Sequence, residues 1–224
     1  LDMPTNFDAI APSRESVLEI NKVLRNTYSL LSMTLLFSAG VAYASMALNL
    51  PHPGLIIMLV GFYGLMFAIH KFQNSSLGLV LTFVFTGFLG YTLGPILNMY
   101  LQLNNGGQLI ASALGLTGFT FLGLSAYALT TRKDFNFLSN FMVAGFFVLM
   151  GTMVLGFFVN IPGLQLALSA GFVLFSSAAI LYQTGQLVNG GERNYILATV
   201  TLYVSIYNLF LSLLHILGVF SGDD

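Results

Sequence analysis

The sequence contains no cysteine and no tryptophan, and it has few charged residues. Without cysteine, the 224-residue chain cannot form disulfide bonds, zinc–thiolate sites or a cysteine nucleophile. Charged residues make up 7% of the chain, against roughly 25% in a soluble domain, so they are too few to cover the surface of a soluble protein of this length. The formal net charge of −1 argues against a basic patch, and we expect no nucleic-acid partner.

Long apolar runs are the main feature of the chain, whose hydrophobic content is 56%. A bilayer-spanning helix needs about 20 apolar residues, and seven segments approach this length. They are residues 28–50, 55–69 (extendable to 72), 77–101, 109–130, 141–159, 164–187 and 196–220. The runs are continuous rather than alternating, which favours helices over barrel strands. The sequence therefore predicts an all-α membrane protein, a seven-transmembrane-helix bundle, with an N-terminal arm at 1–27, a membrane domain at 28–220 and a short tail at 221–224.

All lysines and arginines fall on one side of these predicted segments. The seven cations are Arg14, Lys22, Arg25, Lys71, Arg132, Lys133 and Arg193. The connections on the other side, residues 50–54, 102–108 and 160–163, contain neither lysine nor arginine. Because cytoplasmic connections of membrane proteins are enriched in these residues, the pattern predicts a cytoplasmic N-terminus and a C-terminus on the outer face.

Glycines recur within three of the predicted helices. They are Gly61 and Gly64 in the second segment, Gly87, Gly90 and Gly94 in the third, and Gly115, Gly118 and Gly123 in the fourth. Small residues let helix backbones approach closely in lipid. We expect these glycines to pack helices within one bundle, in preference to forming a specific dimer interface.

The predicted segments contain no Asp, Glu, Lys or Arg, so polar chemistry must come from uncharged side chains and histidine. Ser205, Asn208 and Ser212 are spaced to share one face of the last segment. Such a stripe either joins helices by hydrogen bonds or lines a wet cavity, and the first is favoured. His215 is expected to hydrogen-bond a neighbouring helix. Nucleotide-binding loops, HExxH and nucleophile-elbow motifs are absent, so the sequence predicts neither an enzyme nor a cofactor or metal site.

Several stretches form a specific combination, although no single one of them is diagnostic. They are Leu24–Tyr28 at the entry to the first segment, Gly87–Tyr91 and Gly94–Asn98 in the third, the loop Thr130–Phe135, and Leu202–Tyr203, Asn208–Leu211 and Ile216–Gly218 in the last. In this combination the chain resembles the Bax inhibitor-1 (TMBIM) family over nearly its whole length. The resemblance implies a seven-helix fold in which the last helix is surrounded by the others.

The family also implies a candidate gate. Some members leak calcium or other cations in a pH-dependent way, controlled by two aspartates that share a proton on the last two helices. At the matching positions this chain has Gln183 and Ser205, both neutral. An amide and a hydroxyl attract a cation less than two carboxylates do and cannot share a titrating proton. A calcium leak is therefore less expected of this chain than of the members that have both aspartates.

For a bacterial member, the resemblance implies a protein of the inner (plasma) membrane whose partner is an FtsH-type ATP-dependent protease and its associated complex. The chain would then regulate the degradation of membrane proteins, and an ion leak of the Bax inhibitor-1 type is the alternative. The polar arm, with Pro4, Pro12 and scattered charges, suits either a handle for the protease or a tail that only sets topology.

Overall fold

The computed structural model describes residues 14–159 and 161–221, and within them the regular structure is entirely α-helical. The helices are α1 (Arg14–Ala47), α2 (Leu55–Phe72), α3 (Ser76–Leu101), α4 (Gly106–Thr131), α5 (Phe137–Phe158), α6 (Leu164–Val188) and α7 (Tyr195–Ser221). Each of the seven is long and apolar enough to cross a membrane. The predicted all-α, seven-helix membrane fold is therefore confirmed.

Helix α1 begins well before the first apolar run. It starts at Arg14, so the second half of the predicted arm, residues 14–27, is helical and continuous with the first span. Residues 1–13, which include Pro4 and Pro12, lie outside the described residues. Beyond Ala47 the chain turns through Asn49, in the left-handed region at φ 49°, and enters a stretch whose two prolines cannot continue a helix.

Helix α7 lies at the centre of the bundle. It packs against α1, α3, α4 and α6. Of the residues in an 18-residue apolar stretch of α7, 61% are buried inside the protein. Leu202, Leu209 and Leu214 are fully enclosed, at 0% exposure. The central position of the last helix, expected from the family resemblance, is confirmed.

Helices α2 and α5 lie at the edge of the bundle. Helix α2 packs on α3, and α5 packs on α6. Ile69 of α2 and Leu149 of α5 are buried, whereas Phe67 and Phe147 are 72% and 70% exposed. Aromatic side chains that are exposed to this extent on a spanning helix are covered by lipid in a bilayer. This exposure agrees with membrane-spanning helices that are hydrophobic on all sides.

The glycines of α3 pack as predicted. A methyl group on Gly90 would overlap the carbonyl of Ser38 on α1, and one on Gly94 would overlap the Ser45 side chain. These close approaches explain why α1 and α3 form the most extensive helix pair of the bundle. In contrast, Gly115, Gly118 and Gly123 of α4 have no atoms within 4 Å of an added methyl group, so the packing prediction was wrong for α4.

The three connections that carry cations meet at one end of the bundle. Asn194 Nδ2 donates to the Gln73 carbonyl at 3.2 Å, and Asn189 Nδ2 donates to the Lys133 carbonyl at 3.1 Å. The α2–α3, α4–α5 and α6–α7 loops are thereby tied together, and we call this the cation end. At the opposite end, Asn98 Nδ2 donates to the Met46 carbonyl at 3.0 Å and joins α3 to the α1–α2 turn.

The α4–α5 loop is closed by a local turn. Asp134 Oδ1 accepts a hydrogen bond from the Asn136 backbone N–H at 2.8 Å, and Oδ2 accepts one from the Asn136 side chain at 3.0 Å. Helix α5 then begins at Phe137, four residues before the predicted apolar run. Hydrogen bonding of Asp side chains to the backbone two residues on is a common way to form such turns.

Candidate functional site: polar groups around the central helix

Two tyrosines of α7 form buried hydrogen bonds with α1 and α3. Tyr203, 2% exposed, has its hydroxyl 2.5 Å from Ser38 Oγ and donates to the Thr86 carbonyl at 3.3 Å. One turn on, Tyr207 lies 2.7 Å from Thr92 Oγ1, whose own proton goes to the Leu89 carbonyl at 2.7 Å. The two tyrosine rings stack with centroids 6.4 Å apart.

These bonds satisfy every polar group they involve. A hydroxyl has one proton to donate and two lone pairs to accept with, so Tyr207 is the donor to Thr92. Nearer the cation end, Thr199 Oγ1 shares its one proton between the Tyr195 carbonyl of its own helix, at 2.7 Å, and the Thr27 carbonyl of α1, at 3.2 Å. The α1–α3–α7 interface is thus held by a ladder of polar contacts embedded in apolar packing, and we call it the paired interface.

Helices α4 and α6, which also pack against α7, contain buried polar atoms that lack hydrogen-bond partners among the described residues. Within residues 14–159 and 161–221, three buried polar atoms have no hydrogen-bond partner: Ser125 Oγ, Ser176 Oγ and Gln183 Nε2. Ser125 is on α4, and the other two residues are seven apart on α6 and so share a face. We call these three residues of α4 and α6, the helices that also pack against α7, the unpaired interface.

Gln183, the residue at the first gate position, is 7% exposed. Its unpartnered amide lies five residues before the end of α6 at Val188, about 7.5 Å along the helix from the cation end. Ser125 is at a comparable depth of about 9 Å, and Ser176 is at about 18 Å. A buried polar atom without a partner costs about 1–3 kcal/mol, and water is the usual means of satisfying it.

Ser205, the residue at the second gate position, is 6% exposed and donates to the Thr201 carbonyl of its own helix at 2.8 Å. In the described part of the chain, no hydrogen bond joins Gln183 to Ser205. Ser212 is also buried, and Asn208 is half-buried. In the described residues none of the three stripe residues forms an interhelical hydrogen bond, and Tyr203 and Tyr207 form such bonds instead.

His215 forms the interhelical contact that the sequence predicted. Its Nδ1 lies 2.8 Å from Ser169 Oγ on α6, toward the end opposite the cations. This contact fastens the far end of the α6–α7 pair. Within the described ranges, no group of three or more His, Asp or Glu side chains is placed to hold a metal ion.

Comparison with known proteins identifies the family. The family model "Inhibitor of apoptosis-promoting Bax1" matches residues 20–222. The chain belongs to the Bax inhibitor-1 family. The match covers all of the spans and the cation-end loops, so the positions compared with the family's gate lie inside the matched region.

Bacterial members of this family are similar along their whole length. An uncharacterized protein of Pseudomonas aeruginosa is 61% identical over 216 residues, covering 96% of each chain. Escherichia coli K12 has a relative named "Modulator of FtsH protease YccA", 56% identical over 210 residues, which cover 94% of this chain and 95% of the relative. A relative with the same identity and coverage in a second Escherichia coli strain is named "Inner membrane protein YccA". With the seven spans, these findings support a multi-pass protein of the inner membrane.

The tyrosines of the paired interface were not recognised as site residues from the sequence. A signal was available: Tyr203 and Tyr207 are four apart and therefore share a helix face within an apolar segment. Tyrosine hydroxyls in an apolar interior normally have a hydrogen-bond partner. The partners Ser38 and Thr92 could not be assigned, because they lie 165 and 115 residues away in the sequence.

Proposed function

We propose that this chain is an inner-membrane regulator that binds and moderates an FtsH-type ATP-dependent protease. The observation that carries the proposal is the 56% identity, over 94% of the chain, to the relative named a modulator of that protease. Because the similarity extends over nearly the whole of both chains, a surface used by the relative is expected to have a counterpart here. The name of that relative describes regulation, which supports a role without a catalytic site of its own.

The proposed topology places the cation end in the cytoplasm. The described cations lie on that end, since its three loops are hydrogen-bonded together and Arg25 of α1 lines a cavity with Arg132. The positive-inside rule then puts the N-terminus in the cytoplasm and the C-terminus on the outer face.

Cysteine labelling tests this topology. Because the chain has no cysteine of its own, single Ser75→Cys and Asn104→Cys variants can be labelled selectively. In intact cells, an impermeant maleimide should label the Asn104→Cys variant and should not label the Ser75→Cys variant. The reverse pattern would overturn the topology.

Residues 1–13 are proposed as the part of the arm that the protease engages. Helix α1 already includes residues 14–27, so the proposed handle is confined to the leading portion of the arm, which contains Pro4 and Pro12. Deleting residues 2–13 should slow degradation of the chain by the protease. Unchanged turnover of a correctly inserted deletion variant would leave the arm as a topology-setting tail only.

The regulatory proposal is tested by replacing YccA in Escherichia coli with this chain. The half-life of a membrane-anchored substrate of FtsH is followed by pulse–chase, with vector alone and YccA as the two limits. We expect the chain to lengthen the half-life toward the YccA value and to co-purify with the protease from native membranes. A half-life equal to that of the vector, at matched membrane levels of the chain, would overturn the proposal.

The unpaired interface favours an ion leak as the second candidate function. Gln183 Nε2 and the two serine hydroxyls are buried yet unpartnered, as expected of groups that bind water in a transient path. Purified protein in liposomes that contain a calcium-sensitive dye provides the test. Flux above empty vesicles that Ser205→Leu abolishes would support the leak. Flux indistinguishable from that of empty vesicles would exclude it, without bearing on the protease.

A further inference from the structure

We propose that the cation end holds a binding site for the phosphate headgroup of an anionic phospholipid, in a cavity between α1, α4 and the end of α6. The cavity has a volume of about 590 Å³ and is open on one side. Its lining combines two arginines, Arg25 and Arg132, with two amides, Asn21 and Asn189. Five aliphatic side chains complete the lining: Val17, Ile20, Leu24, Leu129 and Val188.

The two arginines come from different helices and converge on one space. Arg25 lies one turn before Tyr28, where the apolar part of α1 begins, and Arg132 follows directly on the last residue of α4. Both are therefore at the level where a spanning helix leaves the hydrocarbon. Guanidinium groups bind phosphate through paired N–H donors, and basic pockets between helices at this level bind anionic headgroups.

The backbone at Arg132 gives separate support. Arg132 ends α4 with φ 49°, in the left-handed region where glycine is the usual residue. A side chain at this position strains the backbone, and glycine in place of the arginine would relax the turn. Its neighbour Asp134 is engaged by Asn136 through both carboxylate oxygens, at 2.8 and 3.0 Å.

The aliphatic part of the lining identifies the occupant as a lipid. Leu24 and Leu129 lie next to the two arginines in the sequence or one turn away, so an apolar wall adjoins the cationic groups. Leu129 lies one turn from Arg132 on the membrane side, so a phospholipid whose phosphate contacts the arginines places its first acyl carbons beside an apolar side chain, which a free phosphate compound cannot do. The amides of Asn21 and Asn189 line the cavity beside the arginines, where headgroup oxygens would be placed.

Native mass spectrometry of the full chain in detergent tests the proposal, with phosphatidylglycerol and phosphatidylcholine added in parallel. We expect preferential retention of phosphatidylglycerol, weakened roughly fivefold by Arg25→Gln and by Arg132→Gly. Lys133→Gln and Lys71→Gln are the matched controls, because they remove one cation from the same end outside the cavity lining. These two variants should retain phosphatidylglycerol to within about twofold of the unsubstituted chain, since they remove only long-range attraction to the headgroup.

The Arg132→Gly variant distinguishes the loss of a phosphate contact from a loss of lipid binding caused by unfolding. Glycine relieves the strain at φ 49°, so this variant should unfold at or above the temperature of the unsubstituted chain while losing lipid. Equal retention of phosphatidylglycerol by the cavity and control variants, or equal retention of phosphatidylcholine, would overturn the proposal. Displacement of phosphatidylglycerol by inorganic phosphate at low millimolar concentration would assign the site to a soluble phosphate compound and also overturn it.

Discussion

The two sides of the central helix differ in how the buried polar groups are hydrogen-bonded. Toward α1 and α3, Tyr203 and Tyr207 have hydrogen-bond partners on neighbouring helices, and glycines of α3 bring its backbone close to that of α1. Toward α4 and α6, three buried polar atoms of the described residues have no partner, and the glycines of α4 are open to the surroundings. In lipid, packing and interhelical bonds hold helices together, so the first side has the features of a fixed scaffold.

The difference bears on the proposed functions. Among the described residues, the second side has buried polar groups without protein partners, and such groups are normally satisfied by water. Both positions that correspond to the family's gate, Gln183 and Ser205, lie on α6 and α7, the helices of this second side. Gln183 is one of the three unpartnered groups, so one of the two candidate gate positions coincides with the less satisfied packing.

The largest expected effect comes from removing a tyrosine of the scaffold side. Tyr203→Ala deletes a ring that is 2% exposed and leaves Ser38 without its partner, so the free energy of unfolding should fall by about 3–5 kcal/mol. Phe147→Ala, on the lipid-facing side of α5, should lower it by less than about 1 kcal/mol. Titration with sodium dodecyl sulfate, followed by circular dichroism, measures both. Similar losses for the two variants would mean that α7 is not the structural centre.

An intermediate effect should separate the two sets of glycines. Gly90→Ala places a methyl group against the Ser38 carbonyl and should destabilise the bundle by about 1–3 kcal/mol through overpacking. Gly118→Ala meets no atoms within 4 Å and should be neutral, or stabilising by up to about 1 kcal/mol because alanine favours the helix. The same unfolding titration applies. A destabilising Gly118→Ala would show that α4 is covered by a neighbour.

The smallest effects test hydrogen bonding directly. Tyr207→Phe removes the bond to Thr92 and keeps the ring, so the unfolding free energy should fall by about 0.6–1.7 kcal/mol. Gln183→Met removes an unpartnered amide and should leave stability unchanged or raised. If Gln183→Met were instead more destabilising than Tyr207→Phe, the glutamine would have a partner in the membrane, and the distinction between the two sides would fail.

The sequence was enough to predict the class and the overall arrangement. Continuous apolar runs predicted seven helices, because a helix satisfies its own backbone hydrogen bonds in lipid. The positions of Lys71, Arg132 and Arg193 predicted which loops share an end, and the hydrogen bonds between those loops agree. Helix α1 starts at Arg14 and not at Tyr28, since hydropathy marks where a helix enters lipid and not where it begins.

What only the tertiary structure decided is which polar groups meet. Tyr203 and Ser38 are 165 residues apart, and helix periodicity relates residues only within one helix. The glycines of α3 and α4 look alike in the sequence, yet only those of α3 face a neighbour closely, because packing depends on which helix lies opposite. The same is true of Arg25 and Arg132: each is a topology signal in the sequence, and the fold places both around one cavity. Local chemistry thus fixed the helices and their ends, and long-range packing fixed the partners.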